Sequence, residues 1–374
     1  MKRTILLSAI VIAFLWPACA QAKIVYQVVD LGTLGGDASR ALAINDAGQI
    51  VGWAVTPGQV GRVPYRATLF DATGAGNNID LGTLGGRESW AYSINDSGQI
   101  VGQAINSEGN YGATLFDPTG PANNIDLGTL GGDWSRAYCM NDAGQIVGRA
   151  VNSEGNYRAT LFDPTGAANN IDLGTLGGLS SWAYSINNAG QIVGSAPTTR
   201  TRPSPHATLF DPTGAANNID LGTLGGLSSE AYSINDSGQI VGQATNDYRA
   251  TLFDATGPGN NIDLGTLGGG WSSARSINDS GRIVGQAKNS EGNYRATLFD
   301  PTGAGSNIDL NTLIDPASGW ILIDAYDINN SGWIVGQGLN PEREEHAFLL
   351  VPEPATFGLL GLGILYLRKR GKPC

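Results

Sequence analysis

One unit repeats seven times along the chain, and this repetition constrains the fold more than any other feature of the sequence. Copies of the heptapeptide DLGTLGG, or of its last variant DLNTLID, begin at Asp30, Asp80, Asp126, Asp172, Asp220, Asp263 and Asp309. The copies are 50, 46, 46, 48, 43 and 46 residues apart, and versions of AYSINDSGQIVGQA and YRATLFDPTGAANN follow each one. A unit of this length cannot bury a hydrophobic core alone, so neighbouring units must stack against one another.

The pattern within each unit predicts four short β-strands, in segments such as NIDLGTL, WAYSIN, QIVGQA and RATLFD. Trp90, Tyr92 and Ile94 alternate with small residues, which is the period of two that is typical of a strand. Residues 95–98 read Asn-Asp-Ser-Gly, a composition that favours a tight hairpin turn between the second and third strands. No sustained helical period occurs between Lys23 and Val351.

Seven four-stranded units predict an all-β fold, a seven-bladed β-propeller over residues 23–351. The segments Ile24 to Val29 and His346 to Val351 take the places of two paired segments of the internal repeats. We therefore expect these two segments to pair and close the ring. A right-handed β-solenoid is the alternative architecture, and the sequence leaves open which loop separates one blade from the next.

Residues 1–22 have the pattern of a secretory signal peptide. Lys2 and Arg3 precede an apolar run, and Ala20-Gln21-Ala22 supplies a small-residue cleavage site, so we expect signal peptidase to cut after Ala22. The alternative is a lipoprotein with Cys19 as the lipidated residue, but the Leu-led small-residue box before that cysteine is missing.

Residues 352–374 combine a Pro-Glu-Pro motif, a short apolar run and a basic cluster. The motif is Pro352, Glu353 and Pro354, the apolar run is 355–367, and the cluster is Arg368, Lys369 and Arg370. A helix of this run reaches about 20 Å, which is shorter than the hydrocarbon core of about 30 Å. This order of features resembles the PEP-CTERM protein-sorting domain of Gram-negative bacteria.

The resemblance implies a route out of the cell. An exosortase would recognise and remove the tail while the short helix anchors the chain transiently in the inner membrane. The body would then reach the cell surface or the medium, in association with an exopolysaccharide or biofilm matrix.

The body from Val29 to Val351 resembles the HAF-repeat family of extracellular proteins. His346-Ala347-Phe348 is the motif that names the family, and the other units carry Arg-Ala-Thr, Gly-Ala-Thr or His-Ala-Thr there. This resemblance implies an extracellular location and a repeat fold, and it supplies no binding residues.

Charge and cysteine content exclude several classes of partner. Without the signal and the tail, but with Glu353 retained, the body keeps 16 basic residues against 33 acidic ones, a net charge of −17. Nucleic acid and anionic membrane surfaces are therefore not expected partners. Cys139 is the single cysteine of the body, and no zinc-spaced Cys or His pairs occur, so we expect no disulfide framework, metal or cofactor.

The stretch after DLGTLGG varies most among the units, and a specific site would use such variable positions rather than the repeated ones. Four tryptophans fall in this stretch, which we interpret as a loop: Trp90, Trp134, Trp182 and Trp271. Equivalent loops of a propeller share one face, so these residues are the candidate ligand-binding set. Tryptophan amid Asn, Ser and Glu suits stacking on a sugar ring, and the alternative is that each Trp packs over the neighbouring blade.

Other chemistries have weaker signals. The Asn-Asp-Ser-Gly turns could suggest calcium, but they lack the alternating ligands of a dedicated loop, and their hairpin role already explains them. One repeated slot holds a cation in six units, namely Arg66, Arg158, His206, Arg249, Arg295 and His346. We expect these residues to form ion pairs with a nearby Asp, such as the one that opens DLGTLGG. LGTLGG is not a phosphate loop, because it lacks the lysine and a following helix.

An enzyme is not expected from the sequence. The chain has two His residues, both in the repeated slot, and no Gly-x-Ser-x-Gly elbow. A glycan hydrolase is the enzymatic alternative, and its signature would be two inward carboxylates that break the sevenfold pattern. The interpretation is therefore a secreted, non-enzymatic matrix protein that binds exopolysaccharide through its Trp residues. A purely structural surface protein is the main alternative.

Overall fold

The computed structural model describes residues 26–57, 64–166, 169–200, 204–215, 217–245 and 248–353. The predicted signal peptide and the hydrophobic tail segment 355–367 lie outside the described residues, which leave out 1–25 and 354–374. Within the described residues no helix is long and apolar enough to cross a membrane.

Within these residues, 28 strands form seven four-stranded antiparallel sheets, which confirms the predicted seven-bladed β-propeller. The innermost strands of blades 1 to 7 are β2 (Ser39–Ile44), β6 (Gly85–Ile94), β10 (Gly131–Met140), β14 (Trp182–Ile186), β18 (Ser229–Ile234), β22 (Gly268–Ile277) and β26 (Ile321–Ile328). The second strands are β3 (Ile50–Val55), β7 (Ile100–Asn106), β11 (Ile146–Asn152), β15 (Ile192–Pro197), β19 (Ile240–Ala244), β23 (Ile283–Asn289) and β27 (Ile334–Leu339).

The outer half of each blade follows the same order. The third strands are β4 (Tyr65–Phe70), β8 (Tyr111–Phe116), β12 (Tyr157–Phe162), β16 (Pro205–Phe210), β20 (Arg249–Phe253), β24 (Tyr294–Phe299) and β28 (Glu345–Pro352). The outermost strands are β5 (Ile79–Asp80), β9 (Ile125–Asp126), β13 (Ile171–Asp172), β17 (Ile219–Asp220), β21 (Ile262–Asp263), β25 (Ile308–Asp309) and, in blade 7, β1 (Tyr26–Asp30). Short 3-10 segments occupy Pro121–Asn123, Leu310–Leu313 and Pro316–Ser318.

The ring closes as the sequence predicts, because β1 pairs with β28 in blade 7. Tyr26 lies opposite Pro352, and Asp30 lies opposite Phe348. The first and last parts of the described chain therefore share one sheet.

The hydrophobic core lies between neighbouring blades. Ile100 and Phe116 of blade 2 pack with Val51 of blade 1 and with Leu81 of the segment that links the two blades. Each of these side chains is 2% exposed or less. Burial of such a side chain contributes about 1.5–3 kcal/mol, and the arrangement recurs around the ring.

The predicted strand NIDLGTL is much shorter in the structure. Only Ile79–Asp80 pairs with β4, because the carboxylate of Asp80 accepts a hydrogen bond from the N–H of Gly82 at 2.8 Å and turns the chain. After Asp80 the segment LGTL passes to the next blade, whose innermost strand begins at Gly85. This segment therefore separates the two blades.

A glycine in each second strand allows the innermost strand to bulge. The register of β6 on β7 shifts between Ala91 and Ser93. A Cβ atom on Gly102 would lie 1.9 Å from the carbonyl oxygen of Trp90, so no other residue fits there. The bulge sets which side chains of the innermost strand face the axis.

Candidate functional site

The propeller axis is lined by matching positions of the seven innermost strands and of the turns that follow them. The turns surround one cavity of about 190 Å³ at one end of the axis. A second cavity of about 140 Å³ lies further along the axis, among the Tyr and Ser positions of the innermost strands. We describe the layers in order from the turn end.

Seven buried asparagines form a closed ring of hydrogen bonds at the turn end. Each side-chain Nδ2 donates to the backbone carbonyl of the equivalent Asn in the next blade, at 3.0–3.2 Å. The members are Asn45, Asn95, Asn141, Asn187, Asn235, Asn278 and Asn329, and each is 5% exposed or less. Buried amides that satisfy buried carbonyls hold all seven blades in register.

The next residue of each turn forms a second closed ring. The backbone N–H of this residue donates to the side chain of the equivalent residue in the next blade at 2.8–3.0 Å. The members are Asp46, Asp96, Asp142, Asn188, Asp236, Asp279 and Asn330. Asn188 also donates to the carboxylates of Asp142 and Asp236, and it relieves their repulsion. Among the described residues no group of three or more His, Cys, Asp or Glu is arranged to hold a metal ion.

A ring of tyrosines lies deeper in the channel. Tyr92, Tyr138, Tyr184 and Tyr232 form consecutive contacts with centroid separations of 6.0, 5.4 and 5.7 Å. Arg275 lies between Tyr232 and Tyr326, at 5.7 and 5.8 Å from their centroids. Burial raises the pKa of Tyr92 to about 12 and raises that of Tyr184 further. The hydroxyls of Tyr92 and Tyr184 therefore stay protonated at neutral pH.

Two aspartates of blade 7 lie inside the channel, Asp327 in a column that holds Ser in four other blades and Asp324 in a column that varies from blade to blade. Asp327 replaces the Ser of other blades, accepts hydrogen bonds from the Ser276 hydroxyl at 2.6 Å and the Ile44 N–H at 2.9 Å, and so joins blades 6, 7 and 1. Asp324 is 3% exposed and lies 3.3 Å from Arg275. Burial raises the pKa of Asp324, although Arg275 and Arg40 oppose the shift, and its Oδ1 has no hydrogen-bond partner.

The opposite end of the propeller carries a run of six aromatic rings, which we call the aromatic arc: Trp53, Tyr65, Trp90, Tyr111, Trp134 and Tyr157. Successive centroids are 4.9, 6.0, 6.0, 6.5 and 5.4 Å apart. The guanidinium of Arg149 lies 4.5 Å from the Trp134 ring and 4.9 Å from the Tyr157 ring. The arc spans blades 1, 2 and 3 without a break.

The structure places the four predicted Trp residues in strands rather than in a loop. In blades 2, 3 and 6 the innermost strand extends back through the Gly-Gly pair, because the long second strand continues the ladder, as in the pairing of Gly85 with Asn106. All four Trp are half-buried. Trp90 and Trp134 join the arc through Tyr111, whereas Trp271 contacts Tyr294 and Trp182 lies outside the arc.

Sequence reasoning missed Trp53 and the three tyrosines of the arc. Tyr65, Tyr111 and Tyr157 begin their third strands, and each follows a variable connection, which is the signal that could have identified them. The residues of the two closed rings at the turn end were visible in the sequence as a repeated Asn-Asp-x-Gly-Gln motif and its variants. Only the closure of the propeller shows that these turns bond to one another.

The predicted ion pairs of the repeated slot are confirmed. The pairs are Arg66–Asp80, Arg158–Asp172, His206–Asp220, Arg249–Asp263, Arg295–Asp309 and His346–Asp30, with N···O separations of 2.8–3.9 Å. Each joins a third strand to the outermost strand beside it. Blade 2 has Gly112 at this position.

The sorting residues lie at the edge of the described chain. Pro352 ends β28, and Glu353 follows it. Pro354, Arg368, Lys369 and Arg370 fall outside the described residues.

Comparisons with known proteins bear on the C-terminus and on the fold. Residues 350–370 match the PEP-CTERM protein-sorting motif, which implies an exported, surface-directed protein that is processed by an exosortase. No curated protein matches the chain. A gluconolactonase from Xanthomonas campestris is among the similar solved structures, with 12% identity, a TM-score of 0.43, and coverage of 90% of this chain and 93% of that chain.

This likeness is too weak to assign a reaction or a substrate, but it corrects one expectation. We expected a protein that is not an enzyme. That expectation is wrong as an exclusion, because the similar solved structure is that of an enzyme. The physical reason is that a propeller gathers side chains from several blades at its axis. The low counts of His and Cys did not reveal the buried Asp324 and the half-buried Asp327 there.

Proposed function

We propose that this surface-directed protein binds a glycan of the exopolysaccharide matrix at its aromatic arc. The proposal keeps export by a signal peptide and removal of the tail by an exosortase as its premises. The arc is the feature that supports glycan binding, because aromatic faces stack on the apolar faces of pyranose rings. Three adjacent blades contribute to it, so successive sugars of a chain could contact successive blades.

Exposure and polar neighbours of the arc suit an extended ligand. The side chain of Tyr157 is 38% exposed, and the Trp90 and Trp134 rings are half-buried. Asn110 directly precedes Tyr111, and Asn156 directly precedes Tyr157, so amides lie at the arc where sugar hydroxyls would need partners. Several weak contacts on one polymer add up to useful avidity.

Affinity electrophoresis in gels that contain the host's exopolysaccharide tests the proposal. The arc variant is Trp90→Ala with Trp134→Ala, and the matched control is Trp182→Ala with Trp271→Ala, two tryptophans outside the arc. We expect the wild type and the control to be retarded, and the arc variant to lose affinity by about tenfold or more.

Circular dichroism and thermal unfolding must show that both variants fold. If the wild type is not retarded, the purely structural alternative replaces glycan binding. If both variants lose affinity equally, the arc is not the site.

A further inference from the structure

Blade 2 lacks the cation that six other blades hold beside their outermost strand. In blade 3, Arg158 Nε lies 2.8 and 3.0 Å from the two carboxylate oxygens of Asp172. The Nη1 of the same arginine donates to the Leu179 carbonyl at 3.4 Å. The equivalent acid of blade 2 is Asp126 in β9, beside Gly112 in β8. Asp126 Oδ1 accepts one hydrogen bond, from the Gly128 N–H at 2.9 Å, and Asp126 has no ion pair within the described part of the chain.

Replacement of the arginine by glycine leaves a cavity of about 180 Å³. Its wall includes Asn106, Asn110, Tyr111, Gly112, Asp126 and Asp133. Asp133 is equivalent in the repeat to Leu179, the residue beside the Arg158 slot. The cavity of blade 2 therefore has a second carboxylate where the slot of blade 3 has an apolar side chain. The site thus has open space where six other blades place a cationic side chain, and it carries two negative charges without a cation from the described residues.

The six filled slots show what chemistry this site accepts. Four hold a guanidinium and two hold an imidazole, each against the same aspartate. A charge-assisted hydrogen bond to a carboxylate is stronger than a neutral one, so a cation is the favoured occupant.

We propose that the cavity binds the free ammonium group of an amino sugar in the glycan at the aromatic arc. This inference rests on the proposed function and adds the ligand class. Tyr111 belongs to both sites, since it lines the cavity and lies 6.0 Å from Trp90 and 6.5 Å from Trp134. A pyranose ring on this aromatic surface would therefore have its amino group within reach of Asp126, while an N-acetyl group would bring no charge.

Restoring the arginine provides the clearest variant. A Cβ atom on Gly112 would lie 3.1 Å from Asp126 Oδ1 and from Leu84 Cδ1, both of them ends of side chains. Arginine already occupies this slot in four blades, so Gly112→Arg should fold, fill the cavity and pair with Asp126. Asp126→Asn removes the charge and keeps the cavity.

Isothermal titration with glucosamine oligosaccharides and with their fully N-acetylated counterparts tests the ligand class. We expect the wild type to bind the free amine about tenfold more tightly, and both variants to lose this preference. Equal affinity for the two oligosaccharides, or an unchanged preference in both variants, would overturn the inference. Binding of an arginine-containing peptide without binding of the amino sugar would overturn the assignment to a glycan.

A second readout separates this inference from the proposed function. Methylguanidinium at millimolar concentration should raise the thermal midpoint of the wild type relative to that of Gly112→Arg, because only the wild type has the empty slot. If methylguanidinium stabilises the wild type in this way but no glycan binds, the proposed function is wrong and the cavity is a cation site alone. No difference between the two proteins, with glycan binding intact, would defeat the cation site alone.

Discussion

His346 and Asp30 are 316 residues apart in sequence, yet His346 Nδ1 lies 2.9 Å from Asp30 Oδ1, across the paired strands that close the propeller. The hydrogen bond that the Asp30 carboxylate accepts from the His346 ring raises the pKa of His346 above its usual 6.5, although burial opposes the shift. Burial also opposes the shift of Asp30, but bonds from His346 and the Gly32 N–H lower the pKa of Asp30 below 3.8. The closing strands therefore carry an ion pair that is lost at high pH, when His346 gives up its proton, and at low pH, when Asp30 gains one.

The stability from this pair should depend on pH in a defined direction. The raised His346 pKa gives stability that is complete below about 6.5 and is lost as pH rises through the folded value. The lowered Asp30 pKa gives stability above about 3.8 that is lost as pH falls. The free energy of urea unfolding of the wild type should exceed that of His346→Gln by about 1 kcal/mol at most near pH 5.5, and by less at pH 8.5. A difference that grows at pH 8.5 would contradict this prediction.

The turns after the third strands should hold aspartates with low pKa values. The Thr73 hydroxyl and N–H and the Asn77 amide hold the pKa of Asp71 at about 2. Its contribution to stability is present above 3.8 and is lost as pH falls toward 2. Carboxyl NMR titration should show this value, and Thr73→Ala should move it toward 3.8.

Thr119→Ala is the control for that titration. It removes the equivalent hydroxyl from Asp117 in the next blade and should leave Asp71 unchanged. An Asp71 pKa near 3.8 in the wild type would show that the turn does not hold the carboxylate.

The buried asparagine ring should be sensitive to a single truncation. Asn141 Nδ2 donates to the Asn187 carbonyl at 3.0 Å and to Gln145 Oε1 at 2.8 Å. Asn141→Ala would leave a buried carbonyl unpaired, so we expect a loss of about 1–3 kcal/mol in the free energy of unfolding, measured with urea. Gln145→Ala, at an exposed position, should cost less. Equal costs would mean that the bonds between blades add nothing.

The pair of Arg275 and Asp324 should stabilise the channel only as a pair. Arg275→Leu leaves a buried carboxylate without its cation, and we expect a loss of about 3–5 kcal/mol in the free energy of unfolding. The double variant Arg275→Tyr with Asp324→Ser installs residue types that other blades have at these positions. It should lie within about 1.5 kcal/mol of the wild type, since buried ion pairs can often be replaced without loss. Urea unfolding of both variants measures this, and equal losses would contradict the prediction.

Much of the fold could be predicted because the repeat carries it locally. Alternation around Trp90 and the Asn-Asp-Ser-Gly turns predict strands and hairpins, and seven copies predict seven blades. The ion pairs of the repeated slot could also be predicted, since Arg158 and Asp172 keep a constant spacing from unit to unit. The error over the strand NIDLGTL arose because its residues alternate like a strand, while the side chain of Asp80 turns the backbone after two of them.

The candidate sites depended on the tertiary structure. All four Trp fell in the same variable stretch of the sequence, but only Trp90 and Trp134 belong to the continuous aromatic arc, whereas Trp271 contacts Tyr294 alone. Asp324 looked like one more variable residue until the axis placed it beside Arg275.

The sequence by itself determined the repeat, its strands and turns, the number of blades, the closing pair of strands and the sorting motif at the C-terminus. Only the tertiary structure decided where one blade ends, which aromatic rings form an arc, and that Gly112 opens a cavity beside Asp126. The physical reason is that strand pattern and turn chemistry act between near neighbours along the chain, whereas contacts between blades depend on how each sheet is rotated about the common axis.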